Sequence, residues 1–189
     1  MLSNDSEFDK IAIEIARKSI EKFVKDKRES EIDLELLPKE FSELKGVFVS
    51  IYKEKELRGC IGFPYPIYPL AIAISKAAKE ACRDTRFEEL KEDELDKIKI
   101  EVTILGELRR IDDKVKNRKE ILNLLDKNKG YMIIKGFKSG LFLPQVWNIL
   151  SDERLFIENL CYKAGLDKDC WLDEKTEIYE FEAKIISEK

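Results

Sequence analysis

Between Leu57 and Pro69 the chain reads Leu-Arg-Gly-Cys-Ile-Gly-Phe-Pro-Tyr-Pro-Ile-Tyr-Pro, and few backbones accept that order. Two glycines three residues apart in a β-prone run mark a strand that bulges, or that something approaches closely. Three of the chain's five prolines follow at once. Each removes a ladder donor, so the strand must stop near Phe63. The same run sets a guanidinium, Arg58, two residues from a thiol, Cys60.

The flanking segments are arranged to support such a strand. Residues 46–52 are β-branched and aromatic, residues 53–56 are polar, and with 57–63 they predict a hairpin. Upstream, residues 5–27 carry Phe8, Ile11, Ala12, Ile15, Ser19, Ile20 and Phe23 at helical spacing, with Ser3 or Asp5 as the cap. Downstream, Pro69 takes a favoured first helical position. The stripe that follows (Leu70, Ala71, Ile74, Ala77, Ala78 and Ala81) is small enough to pack closely on a sheet. Further on, the pattern predicts a strand over 98–105, a helix over 113–127 and strands over 131–135 and 141–143. A helix capped by Ser151 and closed by Gly165 comes next, then a last strand over 177–186. Helices and strands alternate without a uniform βαβ repeat, which points to α/β or α+β with a mixed sheet and flanking helices.

Composition narrows the chemistry. A chain of 189 residues that is 43% hydrophobic can build a real core. Its 39% charged residues are mostly Lys and Glu, and it has a single glutamine, Gln145. That balance resembles proteins of thermophiles. The net charge of −4 lacks the basic excess of a dedicated nucleic-acid binder. Arg109, Arg110, Lys114, Lys116, Arg118 and Lys119 form either a solvated face or a local contact. No apolar run reaches membrane-span length, and residues 1–10 lack a signal-peptide pattern, so a cytoplasmic protein is expected. In that compartment Cys60, Cys82, Cys161 and Cys170 are expected as free thiols. There is no histidine. Ser-His-Asp triads, Cys-His dyads and imidazole metal sites are thereby excluded, and acid–base work falls to Asp, Glu, Lys, Tyr or Cys. A metal is disfavoured, with a carboxylate-only Mg²⁺ site left open.

If residues 57–63 form a regular strand, Arg58, Cys60 and Gly62 share one face and Leu57, Gly59, Ile61 and Phe63 the other. Cys60 is then either a nucleophile or ligand contact with Arg58 binding an anion, or a small packed residue beside a structural ion pair. Gly59 and Gly62 admit a ligand or another backbone. Asp84 and Arg86 either position a substrate or bridge their own loop. Glu101 points off the apolar side of its strand, as a general base or as an ordinary solvated glutamate. Gln145, after Pro144, is placed to bind substrate or to cap a turn. Tyr65 and Tyr68, between prolines, either wall a site or cover a sheet edge.

The run Leu57-Arg58-Gly59-Cys60-Ile61-Gly62 resembles the signature of the AMMECR domain family. Asp84-Thr85-Arg86-Phe87, Ile100-Glu101-Val102-Thr103-Ile104-Leu105, Leu143-Pro144-Gln145-Val146 and Cys161-Tyr162-Lys163-Ala164-Gly165-Leu166 agree in order and spacing. Glu88-Glu89-Leu90 stand where family members often carry a proline. The resemblance implies one AMMECR-like domain with a larger and a smaller lobe, a cleft between them and the Arg-Gly-Cys strand near the junction. It implies no established activity and no cofactor. Family members resemble neighbours or fusion partners of Memo-type proteins and radical-SAM enzymes. That suggests either a substrate-handling enzyme, with a small, nucleotide-like anionic substrate, or a non-catalytic interaction module in the same pathway.

Overall fold

The structure is a computed structural model and describes residues 4–189. In chain order its elements are α1 (Asn4–Asp26), β1 (Val47–Lys53), β2 (Glu56–Phe63), α2 (Leu70–Ala81), β3 (Ile98–Leu105), β4 (Arg109–Arg110), α3 (Ile121–Leu124), β5 (Gly130–Lys135), β6 (Lys138–Phe142), α4 (Glu153–Lys163), β7 (Glu177–Phe181) and β8 (Ala183–Ser187). The α+β reading holds. The strands form two four-stranded sheets, ordered β2-β1-β3-β8 and β4-β7-β5-β6. β1 runs antiparallel to β2 and β3, and β7 and β5 to their own neighbours. This corrects the expectation of one mixed sheet. The chain divides into two compact units, one reaching to Leu105 and including Lys184–Lys189, the other Gly106–Ala183.

In the first unit, period-2 alternation puts Val47, Val49, Ile51, Ile100 and Val102 on one face of the sheet, all buried. Against them pack Ala12, Ala16 and Ile20 of α1 and Ala71, Ile74, Ala77 and Ala78 of α2, each fully buried. The alanines let the two helices approach closely, and the buried Ser19 and Ser75 hydroxyls bond across them at 2.9 Å. The cap proposed at Ser3 or Asp5 lies outside the described side chains.

The second unit is built on an aromatic cluster. Trp147 stacks on Phe156 with centroids 3.7 Å apart, and Tyr131 meets both edge-on. α4 is capped by Asp152, one residue after the expected Ser151; its carboxylate accepts the Leu155 N–H at 2.8 Å. Gly165, at φ +70°, closes the helix as expected.

Three further expectations change. The predicted helix over 113–127 shrinks to α3, because Asn117 turns back onto the Lys119 N–H and starts a new turn. Asp112, just before it, is buried, accepts from Arg110 and the Ile178 N–H and forms an ion pair with Arg118, which ties up two of the basic cluster's three guanidiniums. The strand over 177–186 divides at Glu182, whose carbonyl accepts the Gly106 N–H at 2.7 Å, so its halves join different sheets. Finally, Cys161 and Cys170 are bonded as a disulfide, with Cα atoms 6.1 Å apart. Only Cys60 and Cys82 are free. The bond ties α4 to the turn at Cys170–Leu172 across a separation of nine residues. Loop-closure entropy for a ring of that size is worth about 2–3 kcal/mol. Reduction is therefore expected to lower the thermal midpoint by several degrees, while the Cys161→Ala/Cys170→Ala double variant should melt at one temperature with or without reductant.

Candidate functional site

Cys60 pairs with Ser50 across β2 and β1, and Ser50 pairs with Glu101 across β1 and β3. Directly paired residues share a face, so the three form one cross-strand row, on the side of the sheet away from Val49 and Ile51. Ser50 Oγ donates to Cys60 Sγ at 3.2 Å, and Ser187 Oγ donates to Glu101 at 3.2 Å. Tyr52 stands two residues from Ser50 on the same face. Burial pushes its hydroxyl pKa up, and the Glu101 carboxylate pushes it the same way. Cys60 is half-buried. Cys82 is sealed at 1% exposure, and burial raises its thiol to about 12.

β2 is an edge strand, and at Cys60 two side chains stand in for the missing neighbour. Asp84 accepts the Cys60 N–H at 2.9 Å, and Arg86 donates to the Cys60 carbonyl at 3.2 Å. Asp84 is 4% exposed and also takes the Arg86 guanidinium at 2.6 Å. Those bonds hold its carboxyl well below the usual carboxylate range, against the opposing effect of burial.

Arg58 does not stand beside Cys60 in a regular ladder. The register slips between Ile51 and Tyr52: Gly59 faces Ile51, Leu57 faces Tyr52, and Arg58 is the extra residue. Its guanidinium binds Glu94 through Nε at 3.1 Å and Nη2 at 2.9 Å, and the Glu88 carbonyl at 2.7 Å. That carbonyl belongs to the loop where the family proline is missing. Glu94 also accepts from Lys53 Nζ at 2.9 Å and the Lys91 N–H at 3.0 Å. Burial works to raise its pKa, but the bonds from Arg58, Lys53 and Lys91 win and pull it down to about 2. A pocket of about 380 Å³ opens here, lined by Lys53, Arg58, Phe87, Lys91 and Glu94; it holds neither Cys60 nor Glu101. Another pocket, of about 970 Å³ along α1 and residues 28–38, contains none of the predicted site residues.

The glycines are explained by protein packing. A Cβ on Gly59 would lie 2.2 Å from the Ala81 carbonyl oxygen, and one on Gly62 would lie 2.4 Å from the Phe48 ring. Gln145 belongs to the second unit, where its Oε1 is buried without a hydrogen-bond partner. The other seven predicted residues lie in the first unit. Sequence reasoning passed over Ser50, Tyr52 and Glu94. Ser50 is a small polar residue inside an otherwise largely apolar strand, a weak signal, and Glu94 is one acid among many in its turn. Among the described residues no group of three or more Cys, Asp or Glu is arranged to hold a metal ion, and no helix is long and apolar enough to cross a membrane.

The AMMECR1 family model matches residues 13–186, nearly the whole chain. The chain belongs to the AMMECR1 family. A Thermococcus onnurineus protein is 42% identical over 97% of this chain and 91% of its own length. A Methanocaldococcus jannaschii protein is 40% identical over 94% of this chain and 88% of its own length. A solved structure of an uncharacterized protein from Pyrococcus horikoshii superposes with a TM-score of 0.89 at 38% identity, covering 97% of this chain and 92% of that one. The Arg-Gly-Cys run of this AMMECR1 member is thus placed on an edge strand where Asp84 and Arg86 bond the backbone of Cys60.

Proposed function

We propose that this AMMECR1 protein is an enzyme, or the substrate-handling subunit of one, with the Cys60 thiol as its reactive group and Glu101 as its base. The observation that carries this is the row Cys60–Ser50–Glu101 on the sheet face away from the helices. A small anionic, nucleotide-like substrate is supported by Arg86, whose side chain keeps 58% of its surface open beside Cys60. Arg58 contributes indirectly, by fixing the strand through Glu94. A thermophile's cytoplasm accommodates both the charged composition and a buried disulfide. Site-resolved alkylation tests the reading. Cys60 is expected to react at least a hundredfold faster than Cys82 in the folded protein at neutral pH, and equal sluggishness of the two would sink it.

A second reading, an interaction module for a Memo-type or radical-SAM partner, is favoured by the proline-bounded loop, where Tyr65 and Ile67 are 41% and 60% exposed. Binding to such a partner that survives Cys60→Ser but is lost in Tyr65→Ser/Ile67→Ser would support it.

A further inference from the structure

We infer that the outer face of α4 is the contact through which two copies of this chain pair, antiparallel about a two-fold axis. This is independent of the reading of Cys60. α4 buries Phe156, Ile157, Leu160 and Cys161 against its own unit. At about 100° per residue, the direction opposite those side chains holds Leu155 and Tyr162, two turns apart. Both are more than half exposed, so the helix is apolar on two sides, where a surface helix needs only one. Ile149 stands just before the helix. Phe137 stands at the tip of the β5–β6 turn, which Lys138 fastens to the Gly165 carbonyl, at the helix's other end, at 2.6 Å. Among the described residues of the second unit, these are four of the five exposed large apolar side chains.

A second copy fits this face by spacing, charge and area. Leu155, Asn159 and Tyr162 follow one another at intervals of four and three, the seam spacing of paired helices, with a polar amide between two apolar knobs. The helix begins acidic, with Asp152 at its cap and Glu153 in its first turn, and ends basic, with Lys163 in its last. Side by side in the same direction, two such helices set like charges together. Reversed, each acidic end meets the other's basic end, and the helix dipoles oppose favourably. The four apolar side chains leave on the order of 600 Å² open, at the upper limit for a patch on a monomer. Pairing would bury about 1,200 Å² in all, the lower bound of a specific interface.

Sedimentation of the full chain across a concentration series tests the pairing. The 22.1 kDa chain is expected to double in mass with a dissociation constant in the micromolar range, as suits an interface at the small end of the scale. Leu155→Glu and Tyr162→Glu should each weaken pairing about a hundredfold, because each sets an uncompensated charge in the seam. Both side chains project into solvent in the single chain. Melting temperatures measured well below the dissociation constant should therefore match wild type, which separates loss of pairing from loss of folding. Glu153→Lys and Lys163→Glu should each weaken pairing about tenfold. Combined in one chain they should restore it, since the reversed charges still meet across an antiparallel pair. Loss of the Lys163 contact with the Phe142 ring would not be reversed by the second substitution. A chain that keeps its single mass at the highest concentration reached overturns the proposal and leaves this face to a different protein. A dimer that survives both glutamate substitutions overturns the assignment to α4, and a charge-reversed double variant no better than the singles overturns the antiparallel arrangement.

Discussion

Replacing Glu94 with alanine is expected to lower the stability of the fold by about 3 kcal/mol, because it leaves Arg58 and Lys53 facing a protein surface with no counter-charge. Glu94 is only 7% exposed and receives both cations and a backbone N–H. The same number follows from titration. A carboxyl at about 2 in the folded protein, against 4.5 for an ordinary glutamate, corresponds to roughly 3 kcal/mol of linked stability. The folded-state value is the lower one, so the contribution is complete above about pH 4.5 and drains away as pH falls toward 2. Urea unfolding of wild type and Glu94→Gln at a series of pH values checks this. The gap between them should be widest near neutrality and close in strong acid. A gap that stays constant with pH would mean that shape, not charge, holds this corner together.

Gly59→Ala is the second large effect. The added methyl would sit 2.2 Å from the carbonyl oxygen of Ala81, a backbone atom at the end of α2 that no rotamer change can move away. Either β2 or the helix end must shift, and overpacking of this kind costs about 1–3 kcal/mol, more where backbone is involved. The shift would also disturb Cys60, the next residue, whose N–H is held by Asp84. We expect a lower melting temperature together with altered Cys60 alkylation. Gly136→Ala is the contrast: a Cβ there meets nothing within 4 Å, so any loss comes from its φ of +61° alone and should leave Cys60 untouched. Equal alkylation rates in Gly59→Ala and wild type would show that the two signature residues are independent.

The hairpin of β1 and β2, the Ala-rich helix and the strand over 98–105 were legible because their signals are local. Period-2 alternation and a Pro-started apolar stripe each specify one element with little help from elsewhere. Asp112 shows where that ends. Its neighbours 113–127 carry a helical pattern, yet Asp112 is drawn to Ile178, 66 residues away, and Asn117 restarts the turn. The last strand shows the same limit: its alternation runs on through Glu182, but hydrogen bonding to Gly106 sends the two halves to different sheets.

For the candidate site, residue types were readable and relationships were not. The absence of histidine, the Arg-Gly-Cys run and the acid at position 101 determined which chemistry is available and which strand carries it. Those are properties of side chains and of short-range sterics, fixed as soon as the order of residues is given. Tertiary structure decided everything that depends on register. A one-residue slip opposite Ile51 sent Arg58 to Glu94 instead of leaving it beside the thiol, and the pairing of three strands put Ser50 between Cys60 and Glu101. The physical reason is the pleat. Which neighbours a strand residue meets depends on alignment with distant segments, Cys60 and Glu101 lying 10 and 51 positions from Ser50, and a shift of one position exchanges one face for the other.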